Sequence, residues 1–392
     1  MGFKVLQLGK YYTEKGGIET VTQLLVDSLQ CDNTIDVLCF SKKNKNEIRQ
    51  TGQSTIWECA SFFFLFSTSI SFSFFSRFRK IRNNYDIILL HAPNPLAAIA
   101  LWLFPTRAKV VIQWHGDILN KGFLYTLFRF FERKMVLKAE KILATSDIYA
   151  RESEVLKTVA YKTEVVPLGI DENNLQSTAA SVKAIKSQFK NKKIVFSLGR
   201  FVYFKGFEYL IKSALELDND IVILIGGFGP LNSKYQKLIV DNNLEKKVFI
   251  IPEDNKVCWG NYYSACDVFC LPSIEKAESF GLVLLEAMSF SKPIVATNIP
   301  GSGTPWVNEN NVTGYNVTPK NSKELVGAIH KVLHSGNLST MSKNSRLRFE
   351  QNFTHKQMVN NILLIFQRLL QVQPVNALNH ENVLKMKAVT SV

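Results

Sequence analysis

The sequence predicts an α/β protein in which two doubly wound, Rossmann-like domains face each other across a cleft. Its 392 residues are enough for two domains of ordinary size, each with its own core. Each half contains an apolar strand that leads through a glycine-containing turn into an amphipathic helix, at 4–29 and at 194–217. A strand, a polar loop, a helix and a second strand follow one another at 267–297, which is the order of a parallel βαβ unit.

Short apolar runs predict the strands, and longer runs with helical periodicity predict the helices. In the first half the predicted strands are 4–8, 35–40, 86–90, 109–113, 141–145 and 163–166, and the predicted helices are 20–29, 72–82, 122–139 and 147–156. In the second half the predicted strands are 194–198, 221–225, 248–251, 267–271 and 294–297. The helices there are predicted at 207–217, from about 281 to 290, at 322–334 and at 353–371. A polar loop is predicted at 42–45, and a linker with a surface helix at 172–187.

Two uncharged runs have the look of membrane spans, but neither is predicted to cross a bilayer. The run 60–76 alternates seven Phe with six Ser, so it is too short and too polar to cross a bilayer. It is interpreted as a strand at 62–66, a loop, and the start of a helix near Ser73. The run 87–106 is broken by His91-Ala-Pro-Asn-Pro95 into a short strand and a short helix.

Composition limits the class of partner. A net charge of +14 indicates a polyanionic neighbour: nucleic acid, anionic lipid or a phosphorylated ligand. Two helices, at 72–82 and 122–139, interleave Phe with Arg and Lys, which suits an anionic membrane surface. A core-facing helix with a solvated charged side fits the same pattern.

The six cysteines lack metal-ligand spacing and no signal peptide is recognised, so a reducing cytosol is expected.

Two glutamates around one turn indicate a ligand. Glu278 precedes the predicted helix and Glu286 follows eight residues later, ~12 Å along a helix axis, so they touch different parts of a long ligand. Between them Gly281 lets helix N-terminal amides approach an anion. An anionic centre with hydroxyl-rich groups on both sides describes a sugar nucleotide. The alternative is an amphipathic helix with two solvated glutamates.

Other turns carry matching chemistry. Gly16 and Gly17 open a helix where backbone amides would reach a phosphate or a sugar. Arg200 and Lys205, five residues apart around a turn, would grip a diphosphate from two sides. His115 ends a parallel strand beside a glycine and is expected to point into the cleft. His91 also ends a strand and ranks below it.

The segment Glu278-x-Phe-Gly-x-x-x-x-Glu286 resembles the two-glutamate signature of the family 4 retaining glycosyltransferases, which have the GT-B fold. Gly199-Arg200…Lys205-Gly206 is similar to that family's diphosphate-binding pattern, and Gly226-Gly-Phe-Gly229-Pro230 is similar to its Gly-x-Gly-Pro turn. The latter lacks the third glycine of a dinucleotide site, because position 232 is Asn. The match covers nearly the whole chain.

The resemblance implies a role for each candidate residue. Arg200 and Lys205 are expected to neutralise the leaving diphosphate, Glu286 to bind the ribose hydroxyls and Glu278 the sugar hydroxyls. His115 is expected to orient the donor sugar, with Asp117 near the acceptor hydroxyl. The remaining donor contacts implied by the resemblance are Gly16, Gly17, Glu253 near the base, Phe280, Gly281 and Leu282.

The resemblance also implies the domain limits. Residues 1–170 form an acceptor-side domain, joined by a helix at 353–373 that crosses back to it, and residues 171–352 form the nucleotide-sugar domain. The tail 374–392 is predicted to be disordered.

These observations lead to one functional hypothesis. The chain is expected to be a retaining hexosyltransferase that moves a sugar from a nucleotide-diphosphate donor to a lipid-linked oligosaccharide, in bacterial O-antigen, capsule or exopolysaccharide synthesis. No cofactor or metal is expected, since the Asp218-x-Asp220 triplet precedes a strand away from the cleft. The protein is expected at the inner face of the cytoplasmic membrane.

Two alternatives belong to other classes. A nucleic-acid-binding protein would explain the charge, but the basic residues lie within Phe-rich helices and no nucleic-acid module is recognised, so no nucleic-acid partner is expected. A non-catalytic sugar-nucleotide-binding scaffold of a polysaccharide assembly complex is the second alternative. Donor hydrolysis distinguishes it from an enzyme.

Overall fold

Two parallel sheets organise the chain, each covered by helices. The computed structural model describes residues 2–13, 16–61, 63–65, 68–118, 123–254, 257–334 and 336–371. The tail predicted to be disordered lies outside the described residues. No helix among these residues has both the length and the apolar character needed to cross a membrane.

The first sheet has eight strands in the order β10-β9-β8-β7-β1-β2-β4-β3. Its strands are β1 (Lys4–Leu8), β2 (Thr34–Ser41), β3 (Glu47–Thr51), β4 (Ser54–Ala60), β7 (Ile87–Ala92), β8 (Lys109–Trp114), β9 (Lys141–Ala144) and β10 (Thr163–Val165). All neighbours are parallel except β3, which runs antiparallel to β4. A separate antiparallel pair consists of β5 (Phe63–Leu65) and β6 (Thr68–Ile70). The helices of this half are α1 (Gly17–Leu29), α2 (Phe72–Ile81), α3 (Pro95–Leu103), α4 (Phe123–Lys138), α5 (Asp147–Glu152) and α6 (Glu154–Lys157).

The second sheet has six parallel strands in the order β13-β12-β11-β14-β15-β16. They are β11 (Lys193–Leu198), β12 (Ile221–Gly227), β13 (Val248–Pro252), β14 (Val268–Leu271), β15 (Ile294–Thr297) and β16 (Gly314–Val317). The helices are α7 (Ala179–Gln188), α8 (Phe207–Ser213), α9 (Asn232–Asp241), α10 (Trp259–Ala265), α11 (Leu282–Ser289), α12 (Thr304–Val307), α13 (Ser322–His334), α14 (Leu338–Asn352) and α15 (His355–Leu370). The predicted two-domain α/β fold is thus confirmed.

Three local features differ from what the sequence predicts. The hairpin β3–β4, which follows the predicted loop at 42–45, was not predicted; it forms because β4 pairs in parallel with β2 and buries Ile56 and Cys59. The single helix expected at 147–156 is two helices, because Ser153 is extended and caps α6 by accepting from the Leu156 amide. Helix α14 was not predicted, because its sequence has little amphipathic character beyond the buried Met341, Ser345 and Phe349.

Helix α15 connects the two halves. Its start lies beside the end of the first half, where Ile170 and Thr354 form a bridge. It then packs on α1, and Phe366 meets Phe3 edge to face with ring centroids 5.9 Å apart. One cluster of buried apolar side chains consequently runs from the first sheet through α15 into the second.

The two Phe-rich basic helices differ in what they bury. In α2, Phe74 and Phe78 are fully buried, and Phe74 stacks on Phe40. Helix α2 is therefore a core helix, and of its aromatic side chains Phe72 alone is exposed. In α4, Met135 and Val136 face the core, whereas Phe130 is 50% exposed.

A candidate active site between the two sheets

The carboxyl ends of the strands carry the candidate residues. In the first sheet β1 lies between β2 and β7, and in the second β11 lies between β12 and β14. At such points the connections leave in opposite directions and open a crevice above the strand ends. Arg200 follows β11, Glu278 follows β14 and His115 follows β8, so all three lie at the same kind of edge.

Two helix N-termini face each other across this crevice. Gly281 is the N-cap of α11 and has φ +82, a left-handed conformation that favours glycine. Gly17 opens α1, and a Cβ placed on it would lie 3.2 Å from Leu282 Cδ1 in the other half of the chain. Free amides and the positive ends of two helix dipoles therefore converge on one place, which favours an anion there.

Lys205 and Glu278 form an ion pair inside the crevice. Lys205 Nζ lies 2.5 Å from Glu278 Oε2, and Ser273 Oγ donates to the same oxygen at 2.8 Å. Both side chains are only about a tenth exposed: 11% for Lys205 and 10% for Glu278. These two residues, predicted from the sequence to bind separate groups of a ligand, contact each other in the structure.

Cations from both halves approach the same space. Arg200 is exposed at the end of β11. Lys10, from the turn after β1, has a pKa lowered by burial, an effect that Glu19 opposes and that Arg200 and Lys42 reinforce. Lys10 is thus within electrostatic reach of Arg200. Sequence reasoning missed it; the available signal was a lysine directly after the glycine that ends β1.

Glu286 is held by a buried tyrosine. Tyr263 Oη donates to Glu286 Oε2 at 2.6 Å, and the Tyr263 ring stacks on Phe290 at 5.8 Å between centroids. Burial raises the pKa of Glu286 to about 7, against the opposing effects of the Tyr263 hydrogen bond and of Lys205. Glu286 therefore changes charge near neutrality.

His115 belongs to a buried polar chain. His91 Nδ1 lies 3.0 Å from His115 Nε2, and His91 Nε2 lies 2.8 Å from Gln7 Oε1. Burial lowers the pKa of His115 to about 3 and that of His91 below its ordinary value, with His115 also lowering the latter. Both imidazoles are consequently neutral at physiological pH.

Asp117 bridges the two halves. Its Oδ1 accepts from Trp114 Nε1 at 3.0 Å and from Ser153 Oγ at 2.7 Å, and its Oδ2 lies 3.1 Å from Lys276 Nζ. Lys276 also donates to the Glu152 carbonyl at 3.1 Å. Asp117 is therefore engaged in a contact between the halves, which the sequence analysis did not foresee.

The other candidates differ in how they could act. Phe280 is 2% exposed and packs against Phe353 and Trp306, so its side chain is part of the core. Gly16 precedes α1, and a Cβ there would clash with the Glu19 carboxylate. Glu253 follows β13, one strand beyond β12. The structure thus brings Gly17, Leu282, Gly281, Lys205 and Glu278 together, with Glu286 about one turn into α11.

No cluster of three or more His, Cys, Asp or Glu side chains suited to a metal is found among the residues that the structure describes. Asp218, from the Asp-x-Asp triplet, lies 3.3 Å from His330 on α13.

Comparison with known proteins gives consistent matches. The family model for glycosyl transferases group 1 matches residues 181–354, and that for glycosyltransferase family 4 matches residues 15–174. O-antigen chain mannosyltransferase C of Escherichia coli is 28% identical over 375 residues, covering 94% of this chain and 99% of that protein. D-rhamnosyltransferase WbpZ of Pseudomonas aeruginosa is 26% identical, covering 90% of this chain and 92% of that one. The solved sucrose-phosphate synthase of Thermosynechococcus elongatus has a TM-score of 0.78 at 18% identity, covering 95% of this chain and 100% of that chain.

Proposed function

We propose that this chain, which belongs to glycosyltransferase family 4 and has the GT-B fold, transfers a hexose with retention from a nucleotide-diphosphate sugar to a lipid-linked saccharide. The observation that carries the proposal is the meeting of two helix N-termini at Gly17 and Gly281, with Lys205 and Glu278 beside them. A diphosphate fits this place by charge. The hydroxyl-rich groups on either side of it fit the two glutamates.

The donor would lie with its diphosphate between the helix N-termini. Arg200 and Lys205 would neutralise the departing nucleoside diphosphate, an electrostatic role in which loss of one donor typically costs about 3 kcal/mol. Glu286 would accept from the ribose hydroxyls and Glu278 from the sugar. We include metal independence in the proposal because side chains of this chain supply cations at the diphosphate position.

Retention follows most simply from attack on the face that the diphosphate leaves. Glu278 is a poor nucleophile because its charge is balanced by Lys205 at 2.5 Å. In the proposed step the bond from the anomeric carbon to the phosphate oxygen breaks, and a bond to the acceptor oxygen forms on the same face. The acceptor proton passes to the phosphate oxygen that leaves.

The acceptor side is proposed to meet a membrane. A basic aromatic face on α3 and α4 exposes apolar side chains beside cations; its members are Trp102, Leu103, Phe130, Leu137, Arg129, Arg133 and Lys134. Lys134 Nζ lies 5.6 Å from the Phe130 ring centroid, and Trp102 meets Phe130 edge to face. Such a surface suits anionic lipid headgroups over apolar acyl chains. The name of the Escherichia coli relative supports a saccharide of an O-antigen chain as the acceptor.

A thermal-shift screen against GDP-mannose, dTDP-rhamnose and UDP-hexoses, all with EDTA, tests the donor assignment. A donor at 100-fold above its dissociation constant should stabilise the native state by about 2.7 kcal/mol. Stabilisation followed by turnover with membrane lipid extract is the expected result. Stabilisation without hydrolysis or transfer would instead favour a sugar-nucleotide-binding scaffold.

A further inference from the structure

We propose that Gln7 and His91 are positioning residues that hold neutral His115 with its proton on Nε2, so that Nδ1 is the atom that accepts from a hydroxyl of the donor sugar. The role toward the sugar rests on the proposed transfer reaction. The placement of the proton does not, because it follows from hydrogen bonds within the protein alone.

The chain of contacts starts at a backbone carbonyl. Gln7 Nε2 donates to the Thr22 carbonyl oxygen at 3.2 Å in α1, and a carbonyl oxygen only accepts. This contact identifies the nitrogen and the oxygen of the Gln7 side-chain amide. Gln7 Oε1 is therefore the atom that faces His91, and it too only accepts.

Each following contact then has one direction. His91 Nε2, at 2.8 Å from Gln7 Oε1, must carry the proton that it donates. A neutral imidazole has one proton, so His91 Nδ1 is bare and accepts from His115 Nε2 at 3.0 Å. The single proton of neutral His115 is thereby assigned to Nε2. In the reverse order His91 Nε2 would be the acceptor, and the Gln7 amide would have to turn its Nε2 toward it. Two acceptors, Gln7 Oε1 and the Thr22 carbonyl, would then face each other.

The sheet explains why these side chains meet. Gln7 pairs with Leu89 in the register between β1 and β7, so His91, two residues on, lies on the same face. Gln7 and His91 are 0% and 1% exposed, and the two imidazole rings stack with centroids 5.3 Å apart. Water is thus excluded from the chain. A buried hydrogen bond of this kind fixes the tautomer of the imidazole. Metal-ligating histidines are fixed in the same way, by the hydrogen bond that their other ring nitrogen makes.

The chain offers a matched control on the other side of His91. Gln113 of β8 is the register partner of His91 and is also 1% exposed. Neither of its amide atoms has a hydrogen-bond partner among the described residues. Gln7→Met and Gln113→Met therefore make the same chemical change on the same sheet face, and only the first removes an acceptor from the histidine chain.

The direct test is nitrogen-15 NMR of the full chain labelled at histidine, with His91→Phe and His115→Asn to assign the two rings. Long-range proton–nitrogen correlations should give the Nε2–H tautomer for both rings in the free enzyme. Gln7→Met should give His115 a mixture of tautomers, and Gln113→Met should leave its spectrum unchanged. A proton on His115 Nδ1 in the unsubstituted protein, or an unchanged spectrum in Gln7→Met, would overturn the proposal.

The role in donor binding is tested with GDP-mannose and GDP as a pair, or with the UDP or dTDP pair that the donor screen identifies. Gln7→Met should lower kcat/KM for the nucleotide sugar about tenfold through KM, which is the size of one lost hydrogen bond. It should leave the affinity for the nucleoside diphosphate unchanged, because that ligand has no sugar. Equal losses for both ligands would indicate a merely structural role and refute the positioning role.

Failure of the two proposals can be told apart. The predicted tautomers with no turnover of any donor would reject the proposed transferase function and keep the histidine chain. Normal turnover with the His115 proton on Nδ1 would do the opposite.

Discussion

Glu286 should make the stability of this protein fall as the pH rises toward neutrality. Burial raises its pKa to about 7 in the folded state, against a value of 4.5 for an exposed glutamate. Between these two pH values the folded state holds a proton that the unfolded state releases, so the free energy of unfolding decreases with rising pH. The full effect is about 3 kcal/mol above pH 7, from 1.36 kcal/mol per pH unit of difference.

The substitution Glu286→Gln isolates this effect, because glutamine is a neutral mimic of the protonated acid and still accepts from Tyr263. At pH 8 the variant should melt about 4 °C above the unsubstituted protein, because the unfolding entropy is about 2.1 cal/mol/K per residue over 392 residues. At pH 5 most of the difference should vanish, because pH 5 is only half a unit above the unfolded value of 4.5, so little of the effect has accumulated. Thermal melts from pH 5 to 8 without ligand measure the gap.

Glu245→Gln is the matched control, since Glu245 is exposed in the same half of the chain. It should change the melting temperature little at any of these pH values. The reasoning would be refuted if the gap between Glu286→Gln and the unsubstituted protein were constant with pH, or absent at pH 8.

Three further perturbations address the rest of the site. Lys205→Ala should lower transfer at least ~100-fold and also lower the melting temperature, because Glu278 loses its cationic partner at 2.5 Å. Adding Glu278→Gln should restore stability without activity. Near-normal turnover in Lys205→Ala would contradict the diphosphate role. Lys276→Ala removes the 3.1 Å ion pair with Asp117 across the cleft, so small-angle scattering should give a larger radius of gyration than for the control variant. The control is Lys237→Ala, which breaks the 2.9 Å pair with Asp241 within α9. Identical radii would argue against a cross-cleft role for Lys276. Reversal of Arg129, Arg133 and Lys134 to Glu should release the protein from anionic vesicles. Reversal of Lys183 and Lys186 on α7 together with Lys190 just after it is an equal change in charge and should not release it. Equal retention of both variants would reject the basic aromatic face as the docking surface.

The parts of the fold that were predictable are those with local causes. Gly281 marks the start of α11 because its φ of +82 favours glycine, and apolar runs such as Ile294–Thr297 mark buried parallel strands. The hairpin β3–β4 was missed because β4 depends on pairing with β2, about 20 residues earlier, and β3, which pairs with β4, alternates between partly buried and exposed positions. Pairing at a distance leaves little trace in local pattern.

The candidate site likewise has parts that the sequence predicts and parts that it does not. Placement of Arg200, His115 and Glu278 at the crevice was predictable, since carboxyl ends of parallel strands share an edge. The partners of these residues were not. Lys205 and Glu278 are 73 residues apart, Gln7 and His91 are 84 apart, and Lys276 and Asp117 are 159 apart. Such contacts depend on how β11 pairs with β14, how β1 pairs with β7 and how the two halves dock, which no single segment encodes.

Sugar transfer in EDTA, followed by the anomeric configuration of the product, tests the central claim most directly. The donor found in the thermal-shift screen would be supplied carbon-13 labelled at the anomeric position, with membrane lipid extract as acceptor. We predict transfer without added metal and a product with the same anomeric configuration as the donor. Transfer that needs a divalent metal, or a product of inverted configuration, would contradict the account.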